Sequence, residues 1–238
     1  MIEWKAVLTA ISELADEAMF LCNDDGITFR GIDKSHTAYL SVTFPKASFE
    51  VYEYETTFFV LPIKEFKNLF STADNNAIVK LQIEQEDHIT ILIKGDFEMV
   101  YEQKLIAKEL GIVNIPKIEP KSKLSMSPDT LIKIIDNLGK VSMYVTLSTT
   151  TNNIQFSGKG DGGTGTVNLQ PGISGLKLLE VVENSSATYS LEYVTTILQS
   201  IGKICESLTI EFGSGIPMHI SFELPNKITA EYFLSPRI

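Results

Sequence analysis

The chain has 238 residues and a mass of 26.4 kDa, with 44% hydrophobic residues, 21% charged residues and a formal net charge of −10. This length buries a large core in one big domain or two ordinary ones, and the composition is globular, not disordered. The acidity excludes a protein whose whole surface grips nucleic acid but leaves room for a local basic stripe, and no apolar run approaches the roughly 18 to 20 residues of a membrane span.

The amino end, "MIEWKAVLTAISELADEA", carries acids and helical periodicity, with Val7, Leu8, Ile11, Leu14, Ala15 and Ala18 on one face. It has neither the basic end nor the cleavage site of a signal peptide, so a soluble, intracellular, cytoplasmic protein is expected. Cys22 ("MFLCND") and Cys205 ("GKICES") sit in apolar settings without metal-type or redox spacing, and are read as buried thiols in a reducing compartment. After the helix come "DDGITFRGID" (24 to 33) and an alternating strand, "TAYLSVTF" (37 to 44). The stretch from 58 to 95 then gives a strand, a helix with Ile63, Phe66, Leu69 and Phe70 inward, and a hairpin.

The second half repeats this order. "TNNIQFSGKG" (151 to 160) sets Ile154, Phe156 and Gly158 at a constant offset of 127 from Ile27, Phe29 and Gly31. A helical pattern with Leu131, Ile132, Ile135 and Leu138 on one face precedes it. The strand "GTVNLQ" follows, then a strand, a helix with Val194, Ile197, Leu198 and Ile201 inward, and another hairpin. Four similar units, each a helix beside strands, therefore make two domains of like fold: an α+β protein with helices on one side of antiparallel sheets. The domains are expected at 1–109 and 124–238. Between them "LGIVNIPKIEPKSKLSM" breaks all periodicity with Pro116, Pro120 and closely spaced lysines, an extended strap over 110–123 whose Leu110, Ile112 and Ile115 could wall a groove.

Gly158, Gly160 and Gly163 spell G-x-G-x-x-G, the spacing of a dinucleotide-binding loop and the one sign of a nucleotide-dependent oxidoreductase. That fingerprint must open a helix, whereas here it leads into the period-2 "TVNLQ", so a turn between two strands is expected and no cofactor. His36, His88 and His219 lie in unrelated strands or turns. No H-E-x-x-H, G-x-S-x-G or useful Cys pairing is present, so neither a catalytic residue nor a metal site is assigned and a binding or scaffolding protein is favoured over an enzyme. Opposite the apolar stripes, the helical segments carry Lys5, Lys64, Lys67, Lys133, Lys140 and Lys203. Lysine on a helix surface is ordinarily mere solvation, yet basic helix faces beside acidic strands can turn one surface toward phosphate.

These residues amount to a resemblance. The chain resembles a sliding clamp of the proliferating cell nuclear antigen family, of the archaeal kind. The stretches "DDGITFRGIDKSHTAYLSVTF", "KGDGGTGTVNL", "SATYSLEYVTTILQS", "LTIEFGSGIPMHISFEL" and "EYFLSPRI" carry it over nearly the whole chain. The resemblance implies a trimeric ring that encircles duplex DNA as a processivity factor. It tethers DNA polymerase and other replication and repair enzymes, among them the clamp loader (replication factor C), flap endonuclease and DNA ligase, through short peptide motifs. The alternative within the fold is one subunit of a heterotrimeric clamp. In such clamps helices line the hole, which makes the six lysines the DNA-facing set, and an archaeal member would be nucleoid-associated.

By position, the partner-peptide groove implied by the family involves Ile32, His36 and Tyr39, then Leu110 and Ile112 of the strap, then Pro217. Near the carboxyl end it takes in Leu234, Ser235 and Pro236. The subunit interface would join Tyr101, Gln103 and Leu105 of one copy to Thr164, Thr166, Val167 and Leu169 of the next. Two departures stand out. Such clamps open with a full strand, yet only Met1 to Glu3 precede the helical pattern here, so that strand is curtailed or the chain given begins short. Glu13 and Asp16 on the first helix reduce its part in a basic lining.

Overall fold

A computed structural model of the chain describes all residues other than 86, 109, 112, 113, 115, 116, 173, 174 and 238, and gives no side-chain placement for 84 and 85. The first half runs α1 (Ile2–Leu14), β1 (Glu17–Asn23), β2 (Gly26–Ile32), β3 (Ala38–Pro45), β4 (Phe58–Pro62), α2 (Ile63–Leu69), β5 (Ile78–Gln85), β6 (His88–Lys94) and β7 (Glu98–Lys104). The second runs β8 (Ser122–Met126), α3 (Pro128–Leu138), β9 (Tyr144–Thr150), β10 (Asn153–Gly160), β11 (Gly163–Leu169), β12 (Leu176–Val181), β13 (Ser186–Ser190), α4 (Leu191–Ile197), β14 (Ser207–Gly213), β15 (Ile216–Glu223) and β16 (Thr229–Leu234). The repeat read from the sequence is therefore an architectural repeat. The second half extends its last hairpin with β8, which pairs with β14, and with β12, which pairs with β8, whereas β5 of the first half pairs only with β6 among the described residues.

The two halves share one sheet. Its nine strands run β12-β8-β14-β15-β16-β3-β2-β1-β4, and a four-stranded sheet (β11-β10-β9-β13) and a three-stranded sheet (β5-β6-β7) complete the fold. The seam is the antiparallel pair of β16 and β3, with Tyr232 opposite Leu40 and Ala230 opposite Val42. All four are buried, Tyr232 the most exposed of them at 4%, and each aliphatic side chain so buried contributes about 1.5–3 kcal/mol.

Helices cover one face of these sheets. In α3, Ser127 precedes Pro128 at the first helical position, and Leu131, Ile134, Ile135 and Leu138 form the buried stripe. α1 packs on α2 and on the π-helical turn Leu198–Gly202 that extends α4, while α3 packs on α4 and that same turn, so the four helices make one layer. The first helix is shorter than its periodicity implied. It ends at Leu14, Ala15 caps it with extended backbone (φ −142°, ψ 155°), and Ala18 is a buried residue of β1. The run Ala18 to Cys22 satisfies its backbone better by pairing with β2 and β4 than by another helical turn.

The glycine motif is a hairpin, as its context implied. Gly160 pairs with Gly163 and Gly158 with Gly165 across β10 and β11. A Cβ at Gly160 would lie 2.1 Å from the Val141 carbonyl oxygen, and one at Gly158 would lie 2.9 Å from Ser142 Cβ. The glycines let the turn after α3 lie against the sheet.

Candidate functional site

The helix layer gathers the six predicted lysines, but they are not equivalent. Asp16, just past α1, receives Lys64 at 3.0 Å and Lys34 at 2.5 Å, and these hydrogen bonds, from Lys34 first and then Lys64, lower its pKa. Lys64 is therefore already paired, and Lys34, which no helical pattern could have flagged, is drawn into the same cluster. Lys67 Nζ donates to Ser12 Oγ at 3.0 Å, Lys140 Nζ to Asn137 Oδ1 at 2.8 Å, and Lys5 Nζ to the Ala73 carbonyl. Lys133 and Lys203 are exposed on the second half of the layer. An open cavity of about 490 Å³ lies between α1 and α2, with Asp16, Lys34, Lys64 and Lys67 in its wall.

Asp33 ties the halves together on this side. It accepts from the backbone N–H of Ser35 (3.2 Å), Thr37 (2.7 Å) and Ala38 (2.7 Å), and from the Tyr193 hydroxyl of α4 at 3.0 Å. Burial alone would raise its pKa, but these donors, with Ser35 Oγ, outweigh it and hold the carboxylate below its ordinary value.

Backbone hydrogen bonds on either side of the strap tie its flanks to the nine-stranded sheet. The Ile106 N–H donates to the Val60 carbonyl of β4, at one end of the sheet, at 2.9 Å. The Lys121 N–H donates to the Phe212 carbonyl of β14, near the other end, at 3.0 Å.

On the outer face of that sheet, away from the helices, Tyr39 and Phe233 are buried outside the main core, ring centroids 5.7 Å apart and edge-on. Ile32, opposite Tyr39 in the β2–β3 register, is half-buried, as are Leu110, Pro217 and Pro236, while His36 and Ser235 are exposed. His36 has left-handed backbone, with φ of 58°. The Leu234 side chain is fully buried in the core, because strand alternation turns it inward and Phe233 outward. Ile112 lies outside the described residues, as does Ile115. Phe233 is absent from the residues the sequence points to, and His219, read there only as one of three unrelated histidines, stacks on it. The period of two in "AEYFL" was the available signal for Phe233.

Both predicted interface strands are edges. β7 pairs only with β6 and β11 only with β10 among the described residues. Along β7, Tyr101, Gln103 and Leu105 are half-buried, and the side-chain oxygen Oε1 of Gln103 is buried with no donor among the described residues. Along β11, Thr164 and Thr166 are exposed, Val167 is half-buried, and Leu169 is buried in its own core.

No helix among the described residues is long and apolar enough to cross a membrane. Two family descriptions match the chain: "Proliferating cell nuclear antigen, N-terminal domain" over residues 3–115 and "Proliferating cell nuclear antigen, C-terminal domain" over residues 114–237. It is 32% identical over 235 residues to the "DNA polymerase sliding clamp" of Nitrosopumilus maritimus, covering 98% of this chain and 94% of that one. A protein of the same name from Cenarchaeum symbiosum is 31% identical, with 98% and 94% covered. In fold, the chain is similar to the crystal structure of PCNA from Thermococcus kodakaraensis, with a TM-score of 0.92, 22% identity, and 99% of this chain and 96% of that chain covered. The chain belongs to the proliferating cell nuclear antigen family.

Proposed function

We propose that the chain is a subunit of a ring-shaped sliding clamp that closes on duplex DNA and serves as a processivity factor, with no catalytic step of its own. The name carried by its archaeal relatives agrees with this reading. The observation that carries it is the match between the closed seam inside the chain and the two open edges at its ends.

The internal repeat gives a register for the ring. Phe29 pairs with Val42 in the first half as Phe156 pairs with Val167 in the second, so β11 is the counterpart of β3. Ile220 pairs with Tyr232 as Ile91 pairs with Tyr101, so β7 is the counterpart of β16. Copying the seam onto the open edges sets Tyr101 against Gly165 of the next subunit and Met99 against Val167. The half-buried row of each edge then covers the other, a large side chain meets a glycine, and Gln103 Oε1 gains neighbours. Such a heterologous contact closes into a ring if its rotation permits.

In this ring the helix layer faces DNA, with Lys5, Lys67, Lys133, Lys140 and Lys203 toward phosphates and Lys64 and Lys34 held back by Asp16. Contacts are to backbone, not bases, so they permit sliding and weaken with salt. The groove under the strap takes short peptides with aromatic and aliphatic anchors. DNA polymerase, clamp loader, flap endonuclease and DNA ligase are the clients to which the family likeness points.

The test is retention on DNA. Loaded protein should stay on a nicked circular plasmid through a high-salt wash and run off after linearisation. Equal loss from both forms would overturn topological linkage.

A further inference from the structure

The outer face of the nine-stranded sheet holds a charge cluster that neither ring closure nor DNA contact uses. His219 on β15 stands between two carboxylates. Its Nδ1 lies 3.0 Å from Glu211 Oε2 on β14, and its Nε2 meets Glu231 Oε2 on β16. Ser221 Oγ donates to the same Glu231 oxygen at 2.9 Å, and Lys123 Nζ on β8 lies 3.1 Å from Glu211 Oε1.

An acceptor at each ring nitrogen calls for a donor at each, which is the imidazolium. Burial alone would lower the His219 pKa, but Glu231 and Glu211 outweigh it and raise it above the ordinary value. The ring stacks on Phe233 with centroids 4.3 Å apart and planes within 11°, and Phe233 in turn meets Tyr39. Other charged groups on this face are Glu180 of β12, opposite Lys123, Glu223 two residues beyond Ser221 on β15, and Arg30 of β2, on the strand beyond β3.

We propose that His219 is a positioning residue of the peptide groove: pinned between Glu211 and Glu231 as an imidazolium, it fixes the Phe233–Tyr39 floor, so the groove holds apolar anchors more tightly when His219 is protonated. This rests on the groove assigned under the proposed function. Loss of the proton turns one ring nitrogen into an acceptor facing a carboxylate oxygen. The two repel, the ring leaves its stack, and one acid stays unneutralised beneath a surface that an apolar ligand must desolvate. Because the pKa is raised, the proton is kept through the ordinary histidine range and lost as pH climbs through the higher value. Affinity therefore falls on the alkaline side.

The experiment is fluorescence anisotropy with a labelled peptide carrying one aliphatic and two aromatic anchors, from about pH 6 to about pH 9, on wild type and His219→Gln. Wild type should lose about fivefold or more in affinity across that range, a coupling of ordinary size, and the variant should show a flat profile. Linkage is reciprocal, so saturating peptide should raise the His219 pKa followed by NMR in the wild type, by the logarithm of the same factor. That readout needs no variant to fold, and a merely structural histidine would not move it. Binding with the same pH profile in both proteins, or a His219 titration unmoved by peptide, would overturn this proposal alone. No binding at any pH would remove the groove reading and this proposal with it.

Discussion

The seam between β16 and β3 and the open edges of β7 and β11 are one arrangement met twice, once closed and once unfinished. At the seam Leu40, Val42, Ala230 and Tyr232 are 4% exposed or less; at the edges Met99, Tyr101 and Val167 stay half-buried and Val100 is 58% exposed. The same alternation therefore completes its burial at the seam and leaves it incomplete at the edges. The outer faces also differ. His219, Phe233, Tyr39 and Ile32 line the seam, whereas the corresponding row at the edges is Thr90, Glu102, Thr164 and Lys159. An aromatic floor at one and a polar row at the other would confine the proposed peptide groove to one per chain.

The comparison breaks most visibly at the seam itself. Leu40→Ala should cost about 2–5 kcal/mol in urea denaturation, because it empties a packed site that belongs to both halves. Val167→Asp, at the counterpart of Val42 on the open edge, should lower the folding midpoint of the monomer far less than Leu40→Ala and abolish self-association in gel filtration. A charge there has no partner in the copied register. If Val167→Asp unfolded the chain, the edge would be core and not interface.

A smaller effect belongs to the tie between the halves. Tyr193→Phe removes a hydroxyl donor to a carboxylate and should lower stability by about 1.5–3 kcal/mol near neutral pH. The Asp33 pKa is depressed, so its contribution is complete above the ordinary carboxylate value and disappears as pH falls through the lower, folded value. Acid titration of the unfolding midpoint should therefore be steeper in wild type than in Asp33→Asn. The mildest expected change comes from Lys133→Ala with Lys203→Ala. Salt dependence of DNA association should flatten by up to roughly one unit of slope for each phosphate that is no longer neutralised, with no change in ring mass.

Much of this was legible in the chain because burial writes itself as periodicity. The offset between Ile27, Phe29 and Gly31 and their later counterparts exposed the repeat, and "TVNLQ" after the glycines gave away a hairpin. Competition between elements was not legible. Ala15 and Ala18 continue the helical stripe, but strand pairing with Leu61 of β4 claims Ala18. Phe233 and Leu234 are both apolar, and only the register with β3 and β15 decides which faces the core. Asp16 draws Lys34 and Lys64 across 18 and 48 residues, and the His219 cluster needs four strands side by side. Pairings of that kind are set by topology, not by local pattern.

The central claim, that the two open edges are made for each other, is tested most directly by the solution mass from light scattering at several concentrations and moderate salt. The account predicts a plateau at three times the 26.4 kDa chain mass. A monomer at every concentration would contradict it and make the chain one subunit of a heteromeric ring.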